Sequence, residues 1–241
     1  MALSPDLLKA AYGAVVDKGW SRLTLTDIAA AADMSLADLR KEMSSKYDLI
    51  GALNRHVDAE VLNEIGTIDA DDNARERLFE VMMARFDALQ PFKDALGVMA
   101  MAARSDIKLA SFTHTHIQTS MGWMLEAAGL GDGGWRGSFR RNGLALVYVR
   151  ASMAWLKDES EDLSATMKAL DKALGDAERW ANSVEGSGTF SESFDRARDG
   201  LQEGLRDMAD RARNFNPGGT RFRGESSDTE PQDGTAPQPG L

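Results

Sequence analysis

The 241-residue chain contains no cysteine. Disulfides, thiolate zinc sites and cysteine nucleophiles are excluded together. The same absence fits a reducing compartment, so a cytoplasmic location is expected. Positive charge is scarce: 28 Lys and Arg stand against 38 Asp and Glu, a formal net charge of -10. A chain so acidic has no global attraction to nucleic acid, and any such binding has to come from a local patch. Apolar runs stay short of the roughly 18 residues a membrane-spanning helix needs, so no transmembrane segment is expected. Asp6, Lys9 and Asp17 interrupt the first twenty residues, so no secretory signal is expected there. Catalytic signatures are missing too: no G-x-S-x-G, no P-loop, no dinucleotide fingerprint and no H-E-x-x-H. Asp69, Asp71 and Asp72 cluster but lack the glycine and terminal glutamate of an EF-hand. No enzymatic activity, cofactor or metal site is expected.

Proline is rare, and four of its six occurrences (Pro217, Pro231, Pro237, Pro239) lie after residue 216. Residues 214–241 are rich in Gly, Pro, Ser, Thr and acid, with Phe215 and Phe222 the only large aromatics. Such a segment buries too little apolar surface to offset its ordering entropy, so a disordered tail is expected. Before it the periodicity is helical. Leu78, Phe79, Met82, Met83 and Phe86 recur at three-and-four spacing, as do Leu163, Met167, Leu170 and Leu174. No sustained period-two alternation bounded by hairpin turns is found. Breaks at 66–72, 90–91, 105–106, 129–134, 157–160 and 185–188 divide the chain into about nine or ten helices, close to the usual helix length. An all-α fold is expected, with a first domain at 1–65, a second at 66–213 and the tail beyond. Within the second, 192–213 sets six acids and five arginines around the seam of Phe194, Leu201, Leu205 and Met208. That pattern predicts an exposed amphipathic helix.

The first fifty residues are dense in helix-start signals. Ser4-Pro5 places a hydroxyl cap before a proline at the first helical position. Thr24-x-x-Asp27, Ser35-x-x-Asp38 and Ser45-x-x-Asp48 each resemble a capping box with Asp in place of Glu. Ala32-Asp33-Met34 is a tight connection between the second and third helices, and two short helices so joined form a helix-turn-helix, here at about 24–43. Its second helix, about 36–43, is the element that would enter a major groove.

Residues 19–53 resemble the tetracycline-repressor (TetR) family of bacterial regulators. Gly19, Trp20, Thr24, Asp27, Ile28, Ala29, Ser35, Leu39, Ser45, Lys46 and Leu49 fall on the family pattern without a gap. The resemblance implies a three-to-four-helix reading domain, a helical ligand-binding and dimerisation domain, and a homodimer on operator DNA. It also implies DNA contacts from Thr26, Ser35, Leu36, Ala37, Arg40, Lys41 and Lys46, the last to a phosphate at the start of the fourth helix. The chain departs from the family where an aromatic pair is usual, with Arg40 and Met43 there instead. Residues 1–65 carry seven Lys and Arg against ten Asp and Glu, whereas a DNA-binding domain normally runs the other way.

Residues 141–174 resemble the C-terminal region of the lipid-binding accessory proteins of coenzyme Q biosynthesis, which share the TetR fold. The match includes Arg141, Leu144, Val147, Tyr148, Trp155, Leu156, Asp158, Ser160, Thr166, Leu170, Asp171 and Leu174. It implies an alternative function, lipid or isoprenoid binding without DNA. Either reading calls for an apolar ligand between helices. Met99, Phe112, His116, Met121, Trp123, Tyr148 and Trp155 are candidate lining residues, with ordinary core packing as the alternative for such stripes. His114 and His116, two apart on one helix, point away from each other and cannot share a metal.

Overall fold

Capping chemistry sets the helix boundaries of the computed structural model, which describes residues 3–65, 73–131 and 133–185. Helix α1 (Pro5–Lys18) opens with the Ser4 hydroxyl accepting from the Leu7 amide. It closes at Gly19, whose φ of 74° lets the chain turn while its amide donates to the Val15 carbonyl. Helix α2 (Leu25–Ala31) starts with a complete capping box. The Asp27 amide donates to the Thr24 hydroxyl, and the Asp27 carboxylate accepts from the Thr24 amide. Helix α3 (Leu36–Glu42) starts at Ser35, whose hydroxyl accepts from the Asp38 amide. Here the box is half closed, because Asp38 turns to the Ser35 hydroxyl and to Lys41 instead of the Ser35 amide. Each hydroxyl cap of this kind contributes about 1 kcal/mol.

The third expected box differs more. Helix α4 (Asp48–Glu64) begins after Tyr47, and the Asp48 amide donates to the Ser45 carbonyl, not to its hydroxyl. Asp48 still reaches back, accepting from the amides of Ser44 and Ser45 at 2.6 and 3.0 Å. The remaining helices are α5 (Ala74–Leu89), a 3-10 turn (Gln90–Phe92), α6 (Lys93–Ala102), α7 (Ile107–Ala127), α8 (Gly134–Trp155) and α9 (Ser164–Glu185). The described residues hold no strand, so the fold is all-α. The expected breaks at 90–91, 105–106, 129–134 and 157–160 are all present. Those at 66–72 and 185–188, the amphipathic segment 192–213 and the tail lie wholly or mostly outside the described residues.

The described residues fall within one compact unit. Its apolar core runs without interruption from Leu7 on α1 to Leu174 on α9. Helix α4 packs on the N-terminal helices through α1 and on the following bundle through α5 and α7. Its buried Leu49, Leu53, Val57 and Val61 form the seam. A polar network lies across it. Arg85 of α5 donates to Asp58 and, at 2.8 Å, to the Asn54 side-chain oxygen Oδ1. The Ser120 hydroxyl of α7 donates to the same two side chains. Arg85 is 1% exposed and Asp58 7%, so these charges persist only as a pair. A second polar joint is Asp106. Its carboxylate caps α7 through the Leu109 amide and accepts from the Trp20 indole at 3.1 Å and the Tyr47 hydroxyl at 3.2 Å. Among the described residues these two joints fasten helices α1–α4 to α5–α7 by directional bonds.

Candidate nucleic-acid interface and ligand cavity

Between α2 and α3 the chain passes through Asp33 at φ 51°, with the Met34 amide bonded to the Ala29 carbonyl at 3.0 Å. This left-handed residue closes the turn in few atoms and sets the two helices at a fixed angle. Leu39 and Met43 face inward and are buried; they anchor α3 against the core. Thr26, Ser35, Leu36, Ala37, Arg40 and Lys41 are all exposed. Leu36, at 51% exposure, has no packing duty that explains a leucine there. Lys41 is held by Asp38 at 2.7 Å. Hydrogen bonds from Lys41 and Ser35 hold the Asp38 carboxyl below the usual carboxylate range. Arg40 reaches only the Ser44 hydroxyl, at 3.4 Å.

Lys46 is where structure and expectation part. Expected to face phosphate, its ammonium instead donates to the carbonyls of Trp20 and Leu23 at 2.7 and 3.3 Å, and lies 5.0 Å from the Trp20 ring centroid. Those carbonyls belong to the loop after α1, where no helix partner satisfies them, and a lysine is the nearest donor. Lys46 therefore fastens the loop and does not point outward.

The ligand cavity also differs from expectation. A cavity of ≈ 250 Å³ opens between α5, α7, α8 and α9, lined by Ala74, Arg75, Leu78, Leu125, Leu130, Phe139, Arg140, Gly143, Leu144, Val147, Leu174, Ala177 and Glu178. None of the seven residues expected to line it does so. Met99, Met121 and Trp155 are buried in the core. Trp155 also donates to the Gln90 side chain. Tyr148 stacks on Phe86 at 5.7 Å, and the Arg85 guanidinium carbon lies 5.4 Å from its ring centroid. Trp123 is exposed, at 52%. Phe112 and His116 line a different cleft, beside α3 and α4. Met99, Met121 and Trp155 went to the core because large side chains gain most from full burial. The cavity wall was left mostly to Leu, Ala, Val and Gly, types that carry no sequence signal for a pocket, with Phe139 its single aromatic. At its rim Arg75 of α5 reaches across to Asp171 and Glu178 of α9. Gly175 leaves room for it, since a Cβ there would come 3.3 Å from the guanidinium.

The comparisons with known proteins fit this geometry. The fold is similar to that of a TetR transcriptional regulator from Nitrosomonas europaea, at 25% identity and a TM-score of 0.58, covering 72% of this chain and 96% of that one. It is also similar to a TetR transcriptional regulator from Rhodococcus sp. RHA1, at 14% identity and a TM-score of 0.52, covering 71% and 93%. Residues 138–181 match the COQ9 family model. No curated protein matches in sequence. The chain thus resembles the TetR family in fold, and its α8–α9 region resembles COQ9. No described helix is long and apolar enough to cross a membrane.

Proposed function

We propose that the protein is a ligand-responsive transcriptional regulator that reads operator DNA as a homodimer. The observation that carries this reading is the outward face of α2–α3. Its start caps are intact and its core anchors buried, yet Leu36, Ala37, Arg40 and Lys41 stand clear of the protein. In the dimer, two α3 helices would enter successive major grooves about 34–36 Å apart. Arg40 and Lys41 are the candidates for base or phosphate contact, and Thr26 and Ser35 are candidates for phosphate. A small apolar ligand in the α5–α7–α8–α9 cavity would bias the arrangement of the two heads, a coupling of distinct sites. A second copy is expected on α8, where Leu146, Val149 and Met153 form an exposed apolar stripe. Selection of bound fragments from sheared genomic DNA by the purified protein tests the reading. Enrichment of a palindrome supports it, and retention of no duplex rejects it.

A second reading has its own observation. Eight of the thirteen cavity-lining residues lie inside 138–181, the segment that matches COQ9. On this reading the cavity holds a lipid or isoprenoid tail and the head reads no DNA. Organic extraction of the purified protein followed by mass spectrometry separates the two. A co-purifying polyisoprenoid in a protein that retains no duplex favours the second.

A further inference from the structure

The wall of the bundle cavity has no polar side chain to spare. Ten of its thirteen lining side chains carry no polar atom, and the other three are Arg75, Arg140 and Glu178. Each of those three is already engaged. Arg75 donates to the Asp171 carboxylate at 2.7 Å and to the Asp171 carbonyl at 3.2 Å. Its Nη1 lies 3.9 Å from the Glu178 carboxylate. Arg140 donates to the Leu130 carbonyl at 3.4 Å. The α8 wall, 139–147, is helix interior, where amides and carbonyls bond to one another. The space itself is ≈ 250 Å³. An engineered apolar cavity of about 150 Å³ holds one benzene ring. In proportion, this one holds a body of about ten carbon atoms.

We propose that the bundle cavity selects an uncharged, compact hydrocarbon-like ligand of about ten carbons, the size of two fused aromatic rings, and rejects carboxylates, ammonium ions and long polyisoprenoid tails. A charge carried in would meet no spare counter-group, and an unpaired buried charge is costly. A carboxylate could take Arg75 only by displacing Asp171 and Glu178, which already hold it. A long tail would leave much of its apolar surface in water and gain nothing from that part. This inference rests on the proposal that the ligand sits in the bundle cavity, and it names that ligand's class. It favours the small-ligand regulator over the polyisoprenoid carrier.

Equilibrium dialysis of the full chain against naphthalene, naphthoate, naphthylmethylammonium and farnesol is the test. Naphthalene is expected to bind at least about tenfold more tightly than either charged analogue, which shares its rings. Farnesol has more apolar surface and gains from it only if the cavity encloses it, so it is expected to bind no more tightly than naphthalene. Gly143→Val, where an added Cβ meets nothing within 4 Å, and Ala177→Leu each fill part of the cavity and should weaken naphthalene about tenfold. Gly97→Val, on α6 and outside the cavity wall, should leave it unchanged. Circular dichroism checks that each variant folds, and either cavity variant can stand in for the other. Asp171→Asn together with Glu178→Gln frees the Arg75 guanidinium, so naphthoate should gain about tenfold while naphthalene stays as it was. A charged analogue that matches naphthalene in the parent, farnesol binding more tightly, or no gain of naphthoate in the double variant overturns the neutral, compact class and leaves the cavity as a ligand site. Failure of all four probes to bind, or naphthalene binding that ignores both Gly143→Val and Ala177→Leu, overturns the cavity reading itself.

Discussion

At the scale of single residues, two side chains have duties that the structure makes testable. Lys46 satisfies two loop carbonyls, so Lys46→Ala should cost about 1–2 kcal/mol of stability, read by thermal or urea unfolding. The salt dependence of duplex binding should stay nearly unchanged. Were Lys46 a phosphate contact, the dimer slope would instead fall by about 2. Asp158 joins α8 to α9. One carboxylate oxygen accepts from the Thr166 amide and hydroxyl, both at 2.7 Å, and the other from the Ser160 amide and hydroxyl. These bonds, Ser160 first and then Thr166, hold the Asp158 carboxyl well below the usual carboxylate range. A depressed folded pKa means that the stabilisation is full above the unfolded value of about 3.9 and is lost as pH falls through the folded one. Urea midpoints measured from pH 7 down to pH 3 should therefore drop less steeply below about pH 4 in Asp158→Asn than in the parent. An identical acid slope in both would contradict the assignment.

At the scale of elements, local chemistry was legible and long-range pairing was not. Helix starts at Ser4, Thr24 and Ser35 could be read because a cap and the amide it satisfies lie within three residues. Phe112 and His116 were singled out as ligand contacts, and they do line a cleft, though not the one between the bundle helices. The Arg85–Asp58 pair spans 27 residues and two helices, and each partner alone looks like a charge on a solvated face. Asp106 resembles an ordinary interhelical acid until Trp20, 86 residues away, is seen to donate to it. The network at Arg85 predicts a large, asymmetric mutational effect. Arg85→Met leaves Asp58 buried without its partner and should cost about 3–5 kcal/mol. Pairing it with Asp58→Leu should recover a good part of that loss, since the stranded charge is gone. Urea unfolding of the two single variants and the double variant closes the cycle. Additive losses would show that the two side chains do not act as a pair.

At the scale of the whole molecule, the outside of α8 and the overall charge make separate demands. Leu146, Val149 and Met153 are 62%, 44% and 58% exposed on one helix, an arrangement a lone soluble chain has no reason to keep. Leu146→Glu should shift the molecular mass in sedimentation equilibrium from dimer to monomer while leaving helix content unchanged. A parent that sediments as a monomer would contradict the dimer. The charge of -10 opposes DNA, so binding has to rest on a few cations at the α2–α3 face. With Lys46 turned inward, the exposed cations there are Arg22, Arg40 and Lys41, the last shared with Asp38, two or three per subunit to meet phosphate. The measurement that tests the central proposal most directly is the affinity for duplex DNA, by fluorescence anisotropy, from about 50 to 200 mM salt. At about 0.9 per contact, a dimer with four to six contacts predicts a slope of log affinity against log salt between about -3.5 and -5.5, reduced in Arg40→Ala. A protein that binds no duplex even at the lowest salt, or one whose binding ignores Arg40, would contradict the account.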